Sequence, residues 1–146
     1  MTAAPDDAAV IRSMVAAQFA SLRWSEDIEP DWQAFEESFL DDARLFPAAR
    51  PVTPTTVAGF QERMVRLHAD GTLARFEERL VGFACTVAGS VAVATAGCEM
   101  TENGTRTTHD VSAFLLVKDA DGWRIAAQAW DAVAFTAARF TPSGGV

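Results

Sequence analysis

Three ionisable side chains, His109, Asp110 and Asp131, fall at one end of a hairpin-like stretch, RTTHDVSAFLLVKDADGWRIAAQAWD, that occupies residues 106–131. Two β-prone runs meet in it at the polar turn Asp119-Ala120-Asp121-Gly122, and the three residues lie at the end away from that turn. Two carboxylates held face to face out of water cannot both ionise at neutral pH, so such a pair supplies a general acid and a general base together. An imidazole beside them would titrate in the same range. Proton transfer is the chemistry these residue types suggest.

The turn sets what each residue faces. A four-residue turn places Lys118 opposite Trp123, Phe114 opposite Ala127, Ser112 opposite Ala129 and Asp110 opposite Asp131. Asp131 is then the acid or base and Asp110 its tuning partner, on a face shared with Phe114, Ser112, Ala127 and Ala129, where the small residues leave room for a ligand. His109 completes the catalytic candidates, although this register turns it to the outer face. One bulge would exchange the faces beyond it.

Stepping along the chain, β-prone runs at 76–87, 91–101, 106–118 and 123–131 are separated by Ala88-Gly89, Asn103-Gly104 and the DADG turn, a meander of long hairpins. Two-residue turns at Asn103-Gly104 and Ala88-Gly89 predict Gly97 opposite Asp110 and Glu78 opposite Glu99. Both glutamates thereby join the aspartates at one end. Oxygen ligands of this kind suit magnesium or calcium, but no loop motif accompanies them, and no metal or other cofactor is assigned. The inner face would carry Leu80, Gly82, Ala84, Val91, Val93 and Thr95 with Ser112, Phe114 and Leu116. The outer face would carry Val81, Phe83, Cys85, Ala92, Ala94, Ala96, Cys98, Val111, Ala113, Leu115, Val117 and Trp130.

Three helices precede the meander. Ile11, Met14, Val15, Phe19 and Leu22 mark one face of a helix near 7–23, capped by Asp6 or Asp7. Trp32, Phe35 and Phe39 repeat along a second near 31–40, which Pro30 can begin. Val57, Phe60, Met64 and Leu67 form the stripe of a third near 54–69, with Thr53-Pro54 as its start and Asp70-Gly71 as its stop. Phe60 and Met64 are added to the ligand-binding candidates, and His68 borders that stripe. A short strand at 43–46 and a proline-rich loop at 48–54 that could rim a pocket lie between the second and third helices. Three helices can cover only one side of the sheet, so the other apolar face predicts a homodimer.

Composition limits the partners. The 146 residues fit one domain with a real core. A formal charge of −8, from 12 basic and 20 acidic residues, repels phosphate backbones and anionic membranes, which argues against nucleic acid and membrane partners. No apolar run approaches the ~20 residues of a membrane span, and the first residues, MTAAPDDAAV, are acidic where a signal peptide is basic. A cytoplasmic location is expected. Cys85 and Cys98 stand in strand-like apolar surroundings without metal-ligand spacing and read as inert buried thiols.

With these elements in place the chain resembles the nuclear-transport-factor-2-like superfamily and, within it, the SnoaL-like branch of small bacterial proteins. The resemblance runs through the N-terminal helix, DWQAFEESFLDDAR and the short strand after it, the helix start TPTTVAGF and the closing FLLVKDADGWRIAAQAWD. It implies an α+β cone in which three N-terminal helices pack in the concave face of a curved, mainly antiparallel meander sheet around an open-mouthed cavity, frequently as a dimer through the outer sheet face. It implies no single activity, because members isomerise steroids, open epoxides, dehydrate or cyclise polyketides, or only bind. The chain has no tyrosine, so the phenol that polarises the carbonyl in ketosteroid isomerases is missing. Limonene-epoxide-hydrolase-like members hold an arginine between two aspartates, whereas Thr108 stands two residues before Asp110. SnoaL-like cyclases carry an acid at the end of the last strand, which Asp131 matches.

One domain over 1–146 is expected, with an ordered core at about 7–135 and a flexible tail at 136–146. Two functions follow. One is a cofactor-free proton-transfer enzyme of isomerase, cyclase, dehydratase or hydrolase type acting on a small, mostly apolar organic molecule; the other is a non-catalytic ligand-binding or dimeric accessory domain.

Overall fold

The computed structural model describes residues 6–134. The tail expected at 136–146 lies outside them. The described chain runs α1 (Asp7–Ser21), α2 (Trp32–Glu37), β1 (Phe39–Phe46), β2 (Thr55–Thr56), α3 (Val57–Ala69), β3 (Phe76–Ala88), β4 (Val91–Glu102), β5 (Arg106–Asp119) and β6 (Gly122–Ala132). The six strands form one curved sheet in the order β2-β1-β6-β5-β4-β3. All neighbours are antiparallel except β1 and β6.

Caps set the helix starts. Asp6 accepts the amide hydrogen of Ala8, Asp31 that of Ala34, and Thr56 that of Gly59, each satisfying a first-turn donor that has no intrahelical partner. The third helix therefore begins at Val57 rather than at the expected Thr53-Pro54 start, because Thr55 and Thr56 are first used as a short strand against β1. The second helix is shorter than its apolar repeat suggests. It stops at Glu37, and Phe39 opens a strand instead of ending a helix.

Phe19, Phe35, Phe39, Phe114, Leu116 and Ile125 are buried in the core between the helices and the inner sheet face. An aromatic run, Trp24, Trp32, Phe35 and Phe60, continues to Trp130 on the sheet, with successive ring centroids 5.4 to 6.5 Å apart. Trp24 is fixed further by its indole N–H, which donates to the Leu73 carbonyl at 2.8 Å. α3 has no fully buried residue. Phe60, Met64 and Leu67 face open space beneath them.

Strand register departs from the turn-counted one at four places. Asn103 and Gly104 have positive φ, and the Thr105 amide donates to the Glu102 carbonyl, as a type I′ turn requires. Pairing nevertheless starts one residue later, at Glu102 and Arg106, and sets Cys98, not Gly97, against Asp110. The first hairpin turns at Gly89-Ser90 rather than at the expected Ala88-Gly89, pairing Ala88 with Val91, and the extra residue Val81 then takes one residue of that shift back, so Glu78 faces Met100 rather than Glu99. In β6 the extra residue is Ala126. Lys118 does pair with Trp123, but beyond the bulge Phe114 meets Gln128, Ser112 meets Trp130, Asp110 meets Ala132 and Asp131 meets Val111.

These shifts exchange faces. Ala92, Ala94, Ala96 and Cys98, expected outside, are buried within, whereas Val91, Val93 and Thr95 are exposed. Phe83 and Cys85 also pack inward. On β5 the expectation holds: Ser112, Phe114 and Leu116 are buried, and Ala113 and Leu115 are exposed.

Candidate functional site

A cavity of about 300 Å³ opens between the helices and the inner sheet face. Gln18, Phe19 and Leu22 of α1, Phe35 of α2 and Phe60, Arg63, Met64 and Leu67 of α3 form one wall. Glu78, Met100, Glu102, Asp110, Ser112, Gln128 and Trp130 rise from the sheet opposite, and Pro47, Ala48 and Ala49 contribute the rim expected of the loop after β1. Apolar walls carrying a few convergent polar groups are the usual make-up of a small-molecule site.

Asp110 is 9% exposed and lines this cavity. Among the described residues no group hydrogen-bonds its carboxylate. Burial, and secondarily the negative charge of Asp131, pushes its pKa up to about 6. Glu78 lies two strands away, on β3, and its accessible surface opens into the same cavity. Desolvation raises its pKa to about 8, the Asp110 charge adds to that, and a hydrogen bond from Cys98 opposes it. At neutral pH Asp110 is therefore mostly ionised and Glu78 mostly protonated.

Cys98 sits between them, paired across the ladder with Asp110, and its thiol donates to Glu78 Oε2 at 2.9 Å. Burial first, and the neighbouring acids second, push the thiol far above its ordinary range, so it stays protonated as a donor. The reading of Cys98 as a buried, unreactive thiol fits, with the addition that it holds a carboxyl in place.

The remaining expected site residues divide. Ser112, Phe60 and Met64 line the cavity. Phe114 is core beneath it, 3% exposed. Ala127 and Ala129 are on the outer face, displaced by the bulge at Ala126. Asp131 is exposed and paired with Val111, so the face-to-face aspartate pair does not form; its charge reaches Asp110 from the other side of the strand. His109 faces outward, as the register from the DADG turn implied. Its Nε2 lies 3.2 Å from Glu99 Oε2, and Arg79 holds the other Glu99 oxygen at 2.7 Å. Arg79 first and His109 second lower the Glu99 pKa. The four acids once grouped together are thus split, Glu78 and Asp110 inside and Glu99 and Asp131 outside. His68 contacts Ser25 and the Trp24 ring rather than the cavity.

Sequence reasoning grouped Glu78 with Asp110 but added Glu99 and Asp131 to the same face, and it missed Gln18 and Gln128 altogether. A signal was present. Glu78 alternates with Phe76 and Leu80, Gln18 continues the stripe Ile11, Val15 and Leu22, and Gln128 interrupts IAAQAW. Each is a polar residue at an apolar position, which folding tolerates only where the polar group has something to do.

No family model and no curated protein matches the chain. Solved structures do match. A nuclear-transport-factor-2-like protein of unknown function from Pseudomonas putida superposes with a TM-score of 0.68 at 13% identity, covering 92% of this chain and 91% of that one. The β subunit of the benzoate 1,2-dioxygenase of Burkholderia mallei gives 0.66 at 15%, covering 90% and 93%. A protein from Streptomyces avermitilis, named as a candidate dehydratase of the nuclear-transport-factor-2-like family, gives 0.65 at 14%, covering 88% and 97%. The chain has the nuclear-transport-factor-2-like fold, an α+β sheet curved around a few helices. No helix among the described residues is long and apolar enough to cross a membrane.

Proposed function

We propose that this is a small-molecule-binding protein of the SnoaL-like branch whose inner cavity carries out cofactor-free proton transfer on a mostly apolar organic ligand. Asp110 is the general base and Glu78 the general acid. The observation that carries the reading is the pair of carboxyls on one cavity wall, desolvated to different extents, so that one is ionised and the other protonated at the same pH. The backbones of β3 and β5 are about 10 Å apart across β4. A ligand lying over Cys98 would touch both acids, giving up a proton to Asp110 at one position and receiving one from Glu78 at another. Asp131 acts only through its charge on Asp110.

The outer face supports a second part of the proposal, a homodimer. Val91, Val93 and Leu115 are 50%, 55% and 47% exposed around a shallow trough lined also by Ala113, Ala127 and Ala129. A contiguous apolar surface of this kind is normally covered. A second copy can do so by a twofold contact.

The alternative is a binding or accessory domain without chemistry, for which the similarity to a dioxygenase β subunit speaks. Native mass spectrometry of the protein as purified, followed by incubation of any retained molecule with fresh protein, separates the two. Conversion by the wild type and its loss in Asp110→Asn is the expected result. A molecule bound and returned unchanged would favour the alternative.

A further inference from the structure

Gln18 and Gln128, buried in the cavity wall, satisfy each other. Gln18 Nε2 donates to Gln128 Oε1 at 3.0 Å, and Gln128 Nε2 donates back to Gln18 Oε1 at 3.2 Å. Asp110 is treated differently. It is 9% exposed and lines the same cavity, and among the described residues nothing donates to its carboxylate. A buried anion is tolerated where a donor or a counter-charge meets it, which leaves that partner to arrive with a ligand.

The surroundings of Asp110 specify its chemistry. Cys98 pairs with Asp110 across the ladder and donates its thiol to Glu78 Oε2, so a second carboxyl is held beside the first, close enough for the Asp110 charge to raise the Glu78 pKa. On the other side Trp130 pairs with Ser112 and is therefore the diagonal neighbour of Asp110, a spacing that an aromatic side chain can bridge. Phe60 meets Trp130 edge to face with centroids 5.6 Å apart and stacks on Phe35 at 5.4 Å. Carboxyls beside aromatic rings suit an organic cation, because a carboxylate and the negative face of a ring attract the same charge. No third His, Cys, Asp or Glu joins the pair in a metal-binding group among the described residues. The other charged side chains lining the cavity, Glu102 and Arg63, are of opposite sign, and the chain's net charge of −8 draws cations toward it.

We propose that the cavity is a receptor for an apolar primary amine, bound as its ammonium ion by Asp110 and Glu78 beside Trp130, with its hydrocarbon part against Phe60 and Phe35. The inference rests on the reading of the cavity as the small-molecule site and deepens it by naming the ligand class; it requires no bond-making at carbon. An ammonium has three N–H donors and no acceptor, so it is complementary to ionised carboxyls. Glu78, protonated at neutral pH in the free protein, ionises beside the cation and releases its proton to solvent.

4-Phenylbutylamine, 4-phenylbutan-1-ol and 4-phenylbutyrate share a hydrocarbon part and differ in the charge of the head group, so isothermal titration calorimetry with the three reads the charge preference of the cavity. At neutral pH the amine should bind roughly tenfold or more tightly than the alcohol, and the carboxylate more weakly than either. Asp110→Asn should bring the amine down to the affinity of the alcohol while leaving the alcohol within about twofold, which shows that the cavity is intact. Titrations in phosphate and in Tris, whose ionisation enthalpies differ, should show close to one proton released per amine bound, and almost none in Glu78→Gln. An alcohol or a carboxylate bound as tightly as the amine overturns the proposal, as does an amine affinity that survives Asp110→Asn; should that variant not fold, the wild-type preference decides. Amine binding without proton release overturns the paired-carboxyl site. The proton-transfer reading fails separately. Amine preference with no ligand converted keeps the receptor and removes the chemistry, whereas conversion of a neutral molecule, lost in Asp110→Asn, with no amine preference does the reverse.

Discussion

His109 and Asp110 are neighbours in the chain, and the sheet sends them to opposite environments. His109 joins Arg79 and Glu99 in a partly exposed chain of charges on the outer face, where water and mutual pairing keep each group ionisable at little cost. Asp110 enters an apolar cavity with no hydrogen-bond partner among the described residues, and its proton is held to about pH 6. The same alternation separates Ser112 from Ala113 and Phe114 from Leu115. Two faces of one strand teach that the direction of a pKa shift follows the surroundings: pairing lowers Glu99 on the outer face, and desolvation raises Glu78 and Asp110 on the inner one.

The largest expected effect lies in the core beneath the site. Phe114→Ala should lower stability by about 3–5 kcal/mol, and Leu115→Ala, one residue on and facing outward, by about 0.5 kcal/mol in a dissociated chain, both read from urea midpoints. Equal losses would mean that the two faces are not distinct. Next comes the outer face. Sedimentation velocity at micromolar concentration should find a dimer in the wild type, and Val93→Lys should weaken it by roughly a hundredfold while leaving circular dichroism unchanged, since two lysines would be buried without partners. Ala94→Lys, aimed inward, should instead unfold the chain. A monomeric wild type would end the second-copy reading.

Smaller still is the pH effect of Glu78. Well below 4.5 both folded and unfolded chains hold its proton; between there and about 8 the unfolded chain releases it while the folded chain keeps it. The unfolded state therefore gains as pH rises, and stability falls through this window before levelling off above it. Glu78→Gln should remove that slope, amounting to ~2 kcal/mol, less than the full shift because solvent reaches the cavity. Identical slopes in the two proteins would place Glu78 in water.

Helix stripes, turn residues and the order of elements were legible in the chain because each is a local pattern: Phe60 and Met64 at i and i+4, Asp119 to Gly122 between two β-prone runs, Phe114 and Leu116 alternating with Leu115. The cavity face was harder. The turn at Gly89-Ser90 instead of Ala88-Gly89 and the late pairing after Asn103-Gly104 each keep the expected glycine, and the bulges at Val81 and Ala126 have no sequence mark of their own, since a valine or an alanine in a strand is as ordinary unpaired as paired. Asp110 shares a face with Ser112 and Phe114, as expected, because alternation within β5 does not depend on either neighbouring ladder. Asp131 was displaced by the single extra alanine. Gln18 and Gln128 were readable as polar residues at buried positions, but only their contact across 110 residues of chain tells what they do.

Carboxyl-resolved carbon-13 NMR titration of the folded protein tests the central claim most directly. Asp110 should titrate at about 6 and Glu78 at about 8, while Glu99 on the outer face stays below the ordinary range. Asp131→Asn should lower the Asp110 midpoint modestly, because burial is the larger cause and the Asp131 charge the smaller. Glu78 and Asp110 both titrating between 3.8 and 4.5, as free carboxylic acids do, would contradict the account and leave a cavity without an acid or a base.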